Sequence, residues 1–233
     1  MRKTTLRKTT ILLGSAFTLA GPALAGAPLV TETADSLERG GCELEAAVAR
    51  ERSSGLPTLR SSTAILGCGV GAESQAALIH TQARFDGSRE QALRLAAKTT
   101  FVAPQPGGAG WGLAYAVETV KAPGSGWRSE TVDVLGLYTR ELSPGLLVHA
   151  NLGHSHSRSR SARQGSTLWS LGVEHIDTVT LAADIFGDDR SRPGVSAGVG
   201  FGIGGGFSVN ATLAWRFEEP RVRSLNLGAK LEF

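Results

Sequence analysis

From Cys42 to Phe233 the chain alternates between apolar and polar positions. In "CELEAAVAR", Cys42, Leu44, Ala46 and Val48 share one face and Glu43 and Glu45 take the other. The same period of two runs through "STAILGCGV", "AALIHTQARF", "QALRLAAKTTF" and "WGLAYAVET", and then through "LLVHANLGH", "TLWSLGVEH" and "VTLAADIFG". "GVSAGVGFGI" sets Val195, Ala197, Val199, Phe201 and Ile203 against a row made only of Gly and Ser. "FSVNATLAWRF" and "SLNLGAKLEF" close the series. The sixth run, "ETVDVLGLY", is the least regular, because Val132, Val134 and Tyr138 alternate with Asp133 but also with Leu135 and Leu137. A period of two is the strand period, and no segment after residue 41 shows the helical one.

The connections sort by length. Short ones fall around residues 71–74, 104–109, 141–145, 176–178 and 204–206, and longer, more polar ones around 51–60, 121–129, 157–165 and 188–193. Those around 86–89 and 218–221 belong to the second group but are compact. This predicts an all-β fold, a transmembrane antiparallel up-and-down β-barrel of about twelve strands over residues 42–233. Only a closed barrel satisfies strand backbones in lipid, and short turns on one side with longer loops on the other are its usual form. A soluble β-sandwich also alternates. Its solvated rows, however, would carry long polar side chains where this chain has much Gly, Ser and Ala. Phe101, Trp111, Tyr138, Phe201, Phe207 and Phe233 fall on the short-turn side, and Trp169, Trp215 and Phe217 toward the loops, as in two interfacial girdles.

The front of the chain differs. Arg2, Lys3, Arg7 and Lys8 precede an apolar run from Ile11 to Leu19 and an Ala23-Leu24-Ala25 cleavage pattern, which predicts a secretory signal over 1–25. Residues 26–41 then form a periplasmic segment or a plug. The precursor carries 24 Lys and Arg against 21 Asp and Glu. Four of the bases lie in the signal, so the rest is nearly neutral and its charge gives no reason to expect nucleic acid as a partner.

An apolar row ending in Phe, here Leu225, Leu227, Ala229, Leu231 and Phe233, resembles the C-terminal strand signal of bacterial outer-membrane β-barrel proteins. The resemblance implies outer-membrane localisation in a Gram-negative envelope. It also implies recognition by the barrel-assembly machinery, periplasmic chaperones on the way, and outer-membrane lipid and lipopolysaccharide as surroundings. "TETADSLERGGCELEAAV" is similar to the start of small outer-membrane proteins associated with aromatic-compound degradation, although Cys42 stands near where they often have Trp.

The polar rows place Glu43, Glu45, His80, Arg84, Arg94, Lys98, Glu118, Asp133, His149, Glu174, Asp184, Arg216 and Lys230 toward the lumen. They form either the wall of a hydrated pore or a cross-lumen network closing a narrow barrel. The leading expectation is passive passage of a small, apolar or aromatic solute, without cofactor. The alternatives are an enzyme acting on lipid or lipopolysaccharide and a structural or adhesive barrel with a closed lumen. His149, Asn151, His154 and Ser155 are close in sequence, but no His-x-Ser places a base and a nucleophile on one face, so no catalytic residue is assigned. His154 and His156 lack a third metal ligand. Arg158, Arg160 and Arg163 read as a solvated loop near lipid phosphates. Cys42 and Cys68 are equidistant from Gly55 and would meet in a symmetric hairpin, a candidate disulfide in an oxidising periplasm.

Overall fold

The computed structural model describes residues 28–158 and 163–233. The expected signal at 1–25 and Arg160 lie outside the described residues. The order is β1 (Cys42–Ser53), β2 (Leu59–Gly71), β3 (Ser74–Phe85), β4 (Ser88–Val102), β5 (Ala109–Lys121), β6 (Arg128–Ser143), β7 (Leu146–Arg158), β8 (Arg163–His175), β9 (Val179–Asp188), β10 (Gly194–Gly204), β11 (Phe207–Arg216) and β12 (Val222–Glu232). Each strand pairs with its sequence neighbours, and β12 returns to β1 to close a barrel. Closure leaves no unpaired edge, which is what allows a sheet to sit in lipid. The seam runs to the last residue: the Cys42 amide donates to the Phe233 carbonyl at 2.8 Å, and the Phe233 amide donates back at 2.9 Å.

The outer surface is apolar. Leu44, Leu66, Leu78, Leu95, Val117, Val134, Leu152, Leu171, Leu181, Leu213 and Leu227 are all exposed. Leu225, Leu231 and Phe233 share that outer row. Trp111 and Tyr138 meet edge to face at the turn end, with centroids 5.6 Å apart. Cys42 and Cys68 are register partners on the outer face and are joined by a disulfide.

Two expectations are corrected. His80 and Arg84 point outward: the register of β3 with β2 and β4 turns Gln75, Ala77, Ile79 and Ala83 inward, and the two charged-type residues occupy the other parity. In their place the inner wall has an apolar patch of Ile65, Ala77, Ile79, Ala96 and Ala116. A strand with apolar residues at both parities does not declare its inner face, and register decides it. Second, among the described residues the loops opposite the termini are shorter than expected. The strands extend into them and leave 54–58, 86–87, 122–127, 189–193 and 217–221. On β6, Leu135 and Leu137 share the inner parity of Asp133, as their place in the sequence implies, and pack with Ala114 and with Ala34 from the segment before the barrel.

Candidate functional site

That segment is the main occupant of the lumen. Residues 28–38 belong to no ladder, so their backbone groups need partners elsewhere. The inner wall supplies them. The Leu37 amide donates to Gln75 Oε1 on β3 at 2.8 Å. The Ala34 amide donates to Thr139 Oγ1 on β6 at 2.9 Å, and its carbonyl accepts from Thr100 Oγ1 on β4 at 2.8 Å. Asn151 on β7 holds Glu32 twice: its Oδ1 accepts from the Glu32 amide at 2.8 Å and its Nδ2 donates to the carbonyl at 2.9 Å. The Val30 amide reaches Asp184 Oδ2 on β9 at 3.3 Å, and the Pro28 carbonyl accepts from Thr212 on β11 at 3.2 Å. The contacts move around the wall from β3 to β11, so the chain crosses the lumen from side to side.

The charges follow. Lys98 Nζ donates to Glu32 Oε1 at 2.9 Å and to the Thr33 carbonyl at 3.3 Å. Both side chains of this ion pair are only 1% exposed. A buried pair of this kind gains from its partner mainly by avoiding an unpaired buried charge. The row of small residues on β10 makes room at the far wall: a Cβ on Gly198 would lie 2.6 Å from the Pro28 carbonyl oxygen. At the near end Gly40 takes φ +84° and the chain bends into β1, its amide donating to the Gly69 carbonyl at 3.0 Å.

Behind the segment the wall polar groups support one another. Thr139 Oγ1 lies 3.0 Å from His149 Nδ1, and His149 Nε2 is 3.6 Å from Glu174 Oε2. Ser170 donates to Asn151 Oδ1 at 3.0 Å, and Ser196 to Asp184 Oδ2 at 2.6 Å. These are orienting contacts for the groups that grip the segment. Two inner positions along β4 from Lys98, toward the loop end, Arg94 pairs with Asp133 at 2.7 Å and lies 3.9 Å from Glu118. At that end Arg216 pairs with Glu51 at 3.0 Å. Lys230 pairs with Glu232 at the turn-end rim, and Glu43 is buried against Gly67. Glu45 is half-buried on the same inner row.

Of the residues that hold the segment through neutral side chains, Gln75, Thr100, Thr139 and Thr212 carry no signal in the sequence, and Asn151 stands out there only beside His149 in a catalytic context. They sit on polar rows beside the charged residues that the sequence does mark. Their role depends on a backbone that only the fold brings near. His154 and His156 are exposed on the outer face, and no metal-holding group of three His, Cys, Asp or Glu occurs among the described residues.

A closed barrel with an apolar outside, a polar inside and a chain segment across its lumen is the architecture of a transmembrane β-barrel of outer-membrane type. The chain belongs to the family described as "Uncharacterised conserved protein UCP029691", whose model matches residues 15–233. No curated protein matches it. Among solved structures it is similar to the COG4313 outer membrane channel from Pseudomonas putida F1. That match has 13% identity and a TM-score of 0.61 over 85% of this chain and 97% of the channel. It is similar to a KdgM porin at 5% identity and TM-score 0.57, over 81% and 99% of the two chains. It is also similar to outer membrane phospholipase A from Escherichia coli at 10% identity and TM-score 0.53, over 90% and 94%. At these identities the likeness is one of fold.

Proposed function

We propose that the protein is an outer-membrane channel for small solutes, closed at rest by its own residues 28–40. The observation that carries this reading is the way the segment is held. It crosses the lumen as an extended chain, gripped by side chains from β3, β4, β6, β7, β9 and β11 rather than by a backbone ladder. A lumen that accommodates an extended peptide with its side chains has, once that peptide leaves, room for a small solute. Polar wall groups freed by its departure can be hydrated, so opening does not strand them in a dry core. The apolar inner patch at Ile65, Ile79 and Ala96 favours solutes with an apolar or aromatic face. Likeness in fold to two channels supports the same reading. Export through a cleaved signal at 1–25, and recognition of Leu225, Leu227, Leu231 and Phe233 by the assembly machinery, complete it.

A lipid-modifying enzyme is less well supported. A hydroxyl–imidazole–carboxylate series, Thr139–His149–Glu174, faces the lumen, and Thr139 and His149 are each 1% exposed. A lipid substrate would meet the outer wall instead. Planar-bilayer recordings test the channel: purified intact protein should give rare, small conductance steps, and protein lacking residues 28–38 large and frequent ones. Silence from both would sink the channel reading in favour of a closed structural barrel.

A further inference from the structure

The outer surface carries a feature that passage does not use. At the loop end, six arginines face outward on five adjacent strands: Arg223 on β12, Arg50 and Arg52 on β1, Arg60 on β2, Arg84 on β3 and Arg89 on β4. They are in register. Arg223 is the direct partner of Arg52, Arg50 of Arg60, Arg60 of Arg84, and Arg84 of Arg89. All six are exposed, and none makes an ion pair among the described residues. Of the acidic residues near the row in sequence, Glu51 and Glu90 lie on the inner parity, and Glu51 is taken by Arg216. Asp86, exposed in the β3–β4 turn, makes no ion pair with the row among the described residues.

Like charges directly opposite on neighbouring strands repel, at Cβ separations of about 5 Å, well inside the ~8 Å screening length of physiological salt. Guanidinium cannot relieve this by losing its proton. A continuous row is therefore at rest only with anions laid along it, and the fork of an arginine pair matches phosphate oxygens. Below the row the outer faces turn apolar, at once on β1 and β12 with Val48 56% and Leu225 42% exposed. On β2, β3 and β4 they do so only past Ser62, past Gln82 and His80, and past Gln91, where Leu66, Leu78 and Leu93 are 47%, 49% and 37% exposed. Cationic rim above, apolar bed below: that is the profile of a lipid with an anionic headgroup. Four strand spacings of about 4.8 Å make the row roughly 19 Å wide, enough for two separated phosphates.

We propose that the β12–β1–β2–β3–β4 arc is a binding site for a lipid bearing two phosphates on one glycosidic headgroup, lying with its acyl chains on the apolar band. This rests on the reading that the loop end meets the outer leaflet. The test uses the purified full-length protein in a neutral detergent. Native mass spectrometry reads retention of diphosphoryl lipid A, monophosphoryl lipid A and phosphatidylglycerol, and heat-modifiable gel mobility confirms folding. Diphosphoryl lipid A should be retained best, and the variant R60Q/R84Q should retain it at least tenfold less, the loss of two charge-assisted contacts. R84K, which keeps the charge but not the fork, should fall between them and serves where the double variant does not fold. R190Q, in the β9–β10 loop away from the arc, should bind as the parent does. Equal retention by R84K and R60Q/R84Q to the parent, or phosphatidylglycerol held as well as diphosphoryl lipid A, would overturn the site. Conductance is not read here, so failure of this site leaves the channel standing, and silent bilayers leave the site standing.

Discussion

Lys98 shows how a single residue ties wall to segment. Its ammonium, on a side chain 1% exposed, meets two oxygens, the Glu32 carboxylate at 2.9 Å and the Thr33 carbonyl at 3.3 Å. Removing one partner of a buried pair leaves the other charge uncompensated, at a cost of about 3–5 kcal/mol, whereas removing both avoids most of that penalty. The segment has an exit that a core residue lacks: it can leave the lumen. Lys98→Ala should therefore expose residues 28–40 to protease in the purified protein, and Lys98→Ala with Glu32→Ala should restore much of the protection. If the double variant is cleaved as fast as the single one, the pair is not what seats the segment. Gly198 acts by absence, since any side chain there would meet Pro28. In the sequence it is one of several small residues on a strand, with nothing to mark it from Gly202, beside which a Cβ would meet nothing.

Among elements, β6 is the instructive one. Its irregular alternation is the trace of a second apolar contact, because Leu135 and Leu137 bed Ala34 inside the barrel while Val132 and Val134 face out. A strand that serves a lumen-filling segment on one side and lipid on the other cannot show a clean polar row. The β3 strand misleads for a related reason. Its polar His80 and Arg84 lie outside, Arg84 in the arginine row, while Ala77, Ile79 and Ala83 face inward. Polarity tells the faces apart only where lipid and lumen differ, and near the rim both are wet. The β1–β2 hairpin carries the disulfide between residues 26 apart in sequence, at the base from which the segment departs. Such a link is worth about 2–4 kcal/mol. Cys42→Ser with Cys68→Ser should lower the temperature of the gel-mobility shift by roughly 5–15 °C, and a reductant should do the same to the parent alone. An unchanged transition in the variant would assign the bond no stabilising role.

At the scale of the molecule, barrel and segment are separable. Every strand has both neighbours without residues 28–38, and the segment adds side-chain contacts but no ladder. Protein lacking 28–38 should still fold and show heat-modifiable mobility; loss of the folded band would mean that the segment is part of the core rather than a removable closure.

The sequence by itself determined the strand count, the up-and-down order and which face is apolar along most strands. Those follow from a period of two, which is written in neighbouring residues and survives whatever the partners are. Glu43, Arg94, Lys98, Asp133, His149, Glu174 and Asp184 could be placed on inner rows for the same reason. What they touch could not. Glu32 is 66 residues from Lys98, and Pro28 is 184 from Thr212. Contacts at that separation exist only because closing the sheet brings opposite walls within a chain's width. The arginine row is likewise invisible along the chain, where its members are scattered from 50 to 223, and appears only when register sets them side by side. Periodicity is local and the sequence holds it; register and closure are collective, and the tertiary structure alone decides what fills the lumen and what lines the rim.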